Sequence, residues 1–286
     1  MVCDVCFKHC KLDDKQTGVC FARAGAYDGS GDAGTVPVNY GHVTSIALDP
    51  IEKKPLYHFH PGSNILSVGS YGCNLKCPFC QNVSISLADN YTKRLPEDEY
   101  VSPQKLCELA KEYVKYGNIG TAFTYNEPLV CFEYVRDTSR LLKEEGLCSV
   151  VVTNGSVMPW VIDEAGPFID AMNIDLKSFS SAYYKDVLKG DLDTTMECIK
   201  AALSYCHVEL TTLIIPDEND SIEEMEEITA WIAGLEREYA KNIPFHISRF
   251  FPRSSYADRK PTDLKVMQKL YETACKRLKY VYLGNC

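Results

Sequence analysis

From residue 65 to the C-terminus, short apolar runs alternate with longer stretches in which apolar residues recur every three or four positions. The runs at 65–70, 119–124, 149–153, 171–175, 208–215, 244–248 and 280–283 are too short for helices. Their near-continuous apolar character predicts buried parallel strands. The stretches at 102–116, 129–145, 157–165, 180–205, 221–239 and 262–277 predict helices, the fourth of them a pair. Ser102-Pro103, Asp220-Ser221 and Pro261-Thr262-Asp263 supply capping oxygens or a pre-set φ at three of the starts. Strand and helix in repeated alternation predict a parallel sheet whose right-handed crossovers curl it toward a barrel.

The first sixty residues have a different texture. A cysteine-rich head is followed by a Gly/Asp-rich stretch at 25–34, then by β-type sequence at 36–48. Gly and Asp tolerate the positive φ of tight turns, so this region predicts a small metal-bound cap with a hairpin. Residues 55–60 are expected to run extended into the main domain. The division is a Cys-rich head and hairpin at 1–60 and a core domain at 61–286, which suits a chain of 286 residues.

A formal net charge of −9 and the lack of any Lys/Arg block argue against loose electrostatic binding to nucleic acid or anionic membrane as the main function. Recognition of a folded RNA stays open. Fourteen cysteines would suggest a disulfide scaffold in a short secreted chain, but this one is long and opens on a polar, Cys-containing segment. A cytoplasmic setting is expected, with no apolar run long enough to span a bilayer. Most of the scattered Cys107, Cys131, Cys148, Cys198, Cys206, Cys275 and Cys286 read as small core hydrophobes.

The residues with chemistry fall just after the expected strands, on the face where α/β barrels gather their active sites. Cys73 to Cys80 follow the first, Tyr125-Asn126-Glu127-Pro128 the second, Asn154-Gly155 the third and Asp175-Leu176-Lys177 the fourth. The turn at 216–220 follows the fifth and Arg249-Phe250 the sixth. Cys73, Cys77 and Cys80 have CxxxCxxC spacing. Three thiolates on one loop can hold three irons of a [4Fe-4S] cube and leave the fourth iron open to a small molecule. A structural zinc site is the alternative, but it needs a fourth ligand, and no His or Cys follows within twenty residues.

Other candidates have bland readings too. Glu127 could accept from an ammonium group or simply face water. Thr153-Asn154-Gly155 could hold a ribose or carboxylate, or cap a helix. Asp175 and Lys177 project to one side of the sheet and could be an ion pair only. His246, with Ser248 on its side of the strand, could be a satisfied core residue. Arg249 and Arg253, flanking Phe250-Phe251-Pro252, could clamp a carboxylate or peptide carbonyl.

With Phe79 before its last Cys, the loop resembles the signature of the radical S-adenosylmethionine (SAM) enzymes. The chain is similar to the pyruvate formate-lyase activating enzymes, and within that branch to the radical SAM member of the AmmeMemoRadiSam system. The resemblance rests on the sequence at 49–59, Gly72 to Asn82, Thr124 to Pro128, Thr153-Asn154-Gly155 and Asp175-Leu176-Lys177. Further matches are Leu213-Ile214-Ile215-Pro216 and Phe245 to Phe250. It implies a partial (β/α)6 TIM-like barrel with a small Cys-rich N-terminal extension. It also implies a [4Fe-4S] cluster on Cys73, Cys77 and Cys80, and a SAM site drawn from Phe79, Asn126, Glu127, Thr153, Asn154, Asp175, Lys177 and His246.

The reaction implied is reductive cleavage of SAM to methionine and a 5′-deoxyadenosyl radical that abstracts a hydrogen atom, in the activases from a glycyl residue of a partner protein. A reducing partner such as flavodoxin or ferredoxin and a protein or peptide substrate go with it. Two positions depart from the activase pattern. Val152 stands where the activases have an Asp that helps hold a cation near Thr153 and Asp175. Tyr125-Asn126 replaces a Gly-Gly pair.

Cys3, Cys6, Cys10 and Cys20 are enough for a second metal site, either zinc or a fully ligated Fe-S cluster. Modification of a small molecule or a tRNA base is an alternative within the enzymatic reading. A non-enzymatic Fe-S electron carrier or metal scaffold is the alternative outside it.

Overall fold

Residue-by-residue alternation in the strands sends one set of side chains toward the helices and the other toward the concave interior. The structure, a computed structural model, describes residues 1–27, 33–86 and 100–286. Its strands are β1 (Arg23–Tyr27), β2 (Ala33–Pro37), β3 (Ser45–Pro50), β4 (Asn64–Gly69), β5 (Asn118–Phe123), β6 (Cys148–Thr153), β7 (Ala171–Asp175), β8 (His207–Ile214), β9 (Phe245–Arg249) and β10 (Val281–Gly284). Its α-helices are α1 (Val83–Ser86), α2 (Pro103–Glu112), α3 (Phe132–Glu144), α4 (Pro159–Ala165), α5 (Ser181–Tyr183), α6 (Leu192–Leu203), α7 (Ile222–Tyr239) and α8 (Leu264–Cys275).

Strands β4 to β10 are the seven expected runs, and all pair in parallel in sequence order. The helices start where the caps predict: Ser102 accepts from Lys105 N, Ser221 from Glu224 N and Asp263 from Lys265 N. The expected helix pair at 180–205 contains a turn of π-helix, Tyr184–Leu188, between α5 and α6. Outward residues such as Val68, Val151, Ile174, Leu210 and Ile247 join the core shared with the helices. Ile65, Ala122, Val150 and Ala171 face inward onto Ile51 and Leu56.

The boundary expected at residue 60 does not match the packing. β3 joins the main sheet as an edge strand antiparallel to β4, so it is not part of the hairpin, which is β1 with β2. Residues 28–32, at the centre of the Gly/Asp-rich stretch, lie outside the described residues. Residues 55–60 do not run extended. Pro50 lies beside Asn64 at the start of β4, so the connection from 51 to 63 lies at the strands' N-terminal end and plugs the interior there.

Leu56, fully buried in that plug, is worth about 1.5–3 kcal/mol by area. Asn173 Nδ2 donates to Pro55 O, and the Tyr57 and His58 amides donate to Glu209 at 3.0 and 2.7 Å. Of the scattered cysteines, Cys107, Cys131, Cys198 and Cys206 are buried as expected and Cys148 is half-buried. Cys275 and Cys286 are exposed and pack no core.

Candidate active site

The Cys73–Cys80 loop leaves the C-terminal end of β4 and is tied down on every side. Gly72 turns it at φ +89°, where a Cβ would meet Cys20 O at 2.7 Å and Ala22 Cβ at 2.8 Å. The Cys73 amide donates to Cys20 O at 3.2 Å, and the Lys76 amide to Leu188 O, at the end of the π-helical turn, at 2.9 Å. Asn74, buried, donates to Ser156 O at 2.8 Å. The Leu75 amide lies 3.5 Å from Cys73 Sγ, and Asn154 Nδ2 lies 3.6 Å from the same sulfur. Cys80 Sγ is 3.4 Å from Ser86 Oγ.

Burial pushes the Cys73 thiol up, and the Cys77 thiol up to about 11 despite Lys177 beside it, so a metal entering the loop must displace protons. Cys77 and Cys80 nearby add to the upward push on the Cys73 thiol. The nearest carboxylates, Glu127 and Asp175, already have partners within the chain. The loop therefore carries three sulfur ligands and gains no fourth from these carboxylates, which fits a site-differentiated cube. Among the described residues no three His, Cys, Asp or Glu side chains already stand at metal-ligand spacing, and this holds for the loop as for the head.

Glu127 is not a solvated loop residue. It is 1 % exposed, and its carboxylate accepts from Thr153 Oγ1 (2.7 Å), the Asn154 amide (2.7 Å) and the Leu129 amide (3.0 Å). Burial pushes its pKa up to about 7 against those three donors. One oxygen takes two of the donors and the other takes one, so Oε2 keeps a lone pair for an incoming cation. Glu127 thus joins the ends of β5 and β6.

Asn154 does not cap a helix: α4 has Met158 at its N-cap with no side-chain bond. Its amide group bridges Asn74 Oδ1 and Cys73, while its Oδ1 accepts from Ser156 N. Lys177 Nζ pairs with Asp175 Oδ2 at 2.8 Å, the ion pair that alternation predicts. Burial alone would lower the Lys177 pKa, but Asp175 and Cys77 beside it raise it. Thr153 and Asp175 are engaged with Glu127 and Lys177.

Tyr125 sits at φ +75°, the left-handed region that glycine takes freely and a tyrosine does not. Its hydroxyl donates to Asp49 at 2.9 Å and Lys54 Nζ lies 4.9 Å above its ring, contacts that offset the strain. Asn126 receives no side-chain role toward a ligand from these contacts. It donates to Tyr71 O and Gly72 O, each at 3.1 Å, and accepts from Ser70 N. Phe79 is buried with its ring 6.1 Å from that of Tyr256.

His246 lies apart from this group. It points inward, as alternation predicts, but in the lower half of the barrel, where Nε2 is 2.6 Å from Glu209 and the ring stacks against Tyr282. That is the satisfied core histidine. Sequence reasoning missed Asn74, although it lies inside the cysteine motif. It also missed Asn219, whose side chain ties Lys177 O and Leu213 O to the Ile215 amide. Only the fold brings Asn219 to the end of β7.

With this geometry in hand, comparison with known proteins is decisive. The model of the radical SAM superfamily matches residues 67–232, more than half of the chain. The chain belongs to the radical SAM superfamily. Members of the superfamily use a [4Fe-4S] cluster and SAM, and the α/β architecture above is the partial TIM-like barrel of these enzymes.

A relative 35% identical over 289 residues is the uncharacterized protein MJ0808 of Methanocaldococcus jannaschii; the match covers 99% of this chain and 80% of that protein. Pyruvate formate-lyase 1-activating enzyme of Escherichia coli is 26% identical over 187 residues, 61% of this chain and 71% of the enzyme. Among solved structures, Streptococcus suis SuiB bound to S-adenosylmethionine matches with a TM-score of 0.57 at 14% identity, over 78% of this chain and 52% of SuiB. SuiB bound to the precursor peptide SuiA gives 0.55 at 14%, over 76% and 47%. The radical SAM fold of this chain thus spans about half the length of SuiB. Among the described residues no helix is long and apolar enough to cross a membrane.

Proposed function

We propose that this radical SAM enzyme is activase-like: it cleaves SAM reductively at a cluster on Cys73, Cys77 and Cys80 and takes a hydrogen atom from a protein or peptide substrate, a glycyl residue of a partner protein in the nearest analogy. The observation that carries the reading is a loop of three half-buried cysteines at the barrel mouth, with its acidic neighbours already partnered. When bound, the cluster and SAM supply one-electron bond cleavage and a hydrogen-abstracting radical.

The chain's own residues bind and orient. Glu127 Oε2 and Asn154 present an acceptor and a fixed backbone for the amino acid part of SAM, Phe79 an aromatic wall, and Asp175 with Lys177 a paired charge beside Cys77. The plug at 51–63 closes the opposite end to water, so substrate would reach the interior from the mouth alone. His246, held by Glu209, supports the plug in this scheme and does not touch SAM.

A protein or peptide substrate is supported by the named activities of the activase relatives and by the peptide that SuiB binds. The connection after β9 also suits a chain-like partner: Phe251 is 45% exposed, with the Arg249 guanidinium 4.9 Å above its ring. Flavodoxin or ferredoxin would deliver the electron. The head cysteines Cys3, Cys6, Cys10 and Cys20 hold a second metal in this reading.

The test is anaerobic reconstitution followed by reduction in the presence of SAM. The expected product is 5′-deoxyadenosine, lost in Cys73→Ala. No SAM cleavage at full cluster occupancy with a strong reductant would sink the proposal.

A further inference from the structure

Three of the four head cysteines come from one short loop whose ends meet: the Cys3 amide donates to Cys10 O at 2.9 Å, and the His9 amide closes a turn onto Cys6 O at 3.2 Å. Cys20 enters from a second turn, closed by the Phe21 amide on Gly18 O at 3.0 Å. Cys3, Cys6 and Cys20 are buried, and no pair is joined as a disulfide. A Cβ on Gly18 would lie 3.4 Å from Cys10 Sγ, so the second turn closes directly over the first.

We propose that Cys3, Cys6, Cys10 and Cys20 ligate one divalent metal ion, zinc or iron(II), and that this site clamps the Cys73–Cys80 loop across the barrel mouth. Four cysteines carried on two adjoining turns can close on one tetrahedral ion, and a head this small lacks apolar area to hold itself folded. The clamp is visible in the hydrogen bonds. Cys20 O accepts from the Cys73 amide, so a head ligand and a loop ligand are joined backbone to backbone. Asn74 stands beside Cys6 and bonds through Asn154 to the Cys73 sulfur. The Met158 amide donates to Val5 O, and Trp160 Nε1 to Asp4 O, fixing the head to the start of α4.

The metal site stands independently of the activase-like reading; the clamp rests on that reading's cluster. In the Cys73→Ala/Cys77→Ala/Cys80→Ala variant, purified anaerobically, elemental analysis should find one zinc or one iron per chain without sulfide, lost on adding Cys10→Ser. Cobalt(II) exchanged into the triple variant should give the intense charge-transfer and d–d bands of a tetrahedral thiolate site. A folded triple variant without metal, with iron and sulfide together, or with disulfides would overturn the site.

For the clamp, the readout is the electron paramagnetic resonance spectrum of the reduced, reconstituted full chain with and without SAM. Asn74→Ala leaves the head ligands intact and should shift the spectrum and its response to SAM. An unchanged spectrum would overturn the clamp. Absence of SAM cleavage in the wild-type chain would remove the activase-like reading and leave the metal measurement standing.

Discussion

Glu127 shows how much one side chain's role depends on its partners. Its three donors are all N–H or O–H groups, so an acceptor-only carboxylate satisfies them and an amide does not. In Glu127→Gln, the new NH2 must face either the Asn154 amide or the Thr153 and Leu129 donors. One buried donor left unpaired costs about 1–3 kcal/mol. Chemical denaturation should register that loss, and calorimetry should show weaker SAM binding; unchanged stability would mean that the carboxylate does not join β5 to β6. The sequence placed Glu127 at the mouth by its position after a strand. It could not reveal the burial, because two of the three donors lie 26 and 27 residues away, at the end of another strand.

Among elements, the connections after the strands are where local rules and packing meet. Gly155, after β6, has φ +66°, and a Cβ there would lie 2.8 Å from Ile174 Cγ2 on β7. Gly155→Ala combines a disfavoured backbone with a clash in a packed core, each worth about 1–3 kcal/mol. A lower melting temperature together with weaker SAM affinity is expected, since Thr153 and Asn154 move with the turn. Full affinity in a destabilised variant would separate the turn from the binding site. Helix starts were legible because a capping oxygen acts within three residues. The π-helical turn under the Cys loop was not, since it depends on Lys76 and Leu75 packing against 188–190. The pairing of β3 was equally hidden: its β-type composition suits any edge, and the partner it takes is a tertiary matter.

On the scale of the whole molecule, Glu209 is the keystone of the plug. Burial raises its pKa, but His207, His246 and the His58 and Tyr57 amides outweigh that and hold it at about 2. A depressed carboxylate stabilises the fold fully above the unfolded value of about 4.5, and the contribution fades as pH falls toward 2. Glu209→Gln should therefore lower the melting temperature near neutral pH, and the gap from wild type should narrow as pH falls below about 5. A gap independent of pH would show that the charge contributes nothing there.

Sequence alone determined the seven parallel strands, their helices, the CxxxCxxC loop and the placing of chemical residues after strands. These follow from backbone periodicity and short-range spacing, which act within a few residues. Tertiary structure decided that His246 serves Glu209, that residues 51–63 close the barrel's far end, and that the head's Cys20 meets Cys73. Those outcomes depend on hydrogen bonds and burial between segments far apart in the chain, which no local pattern encodes.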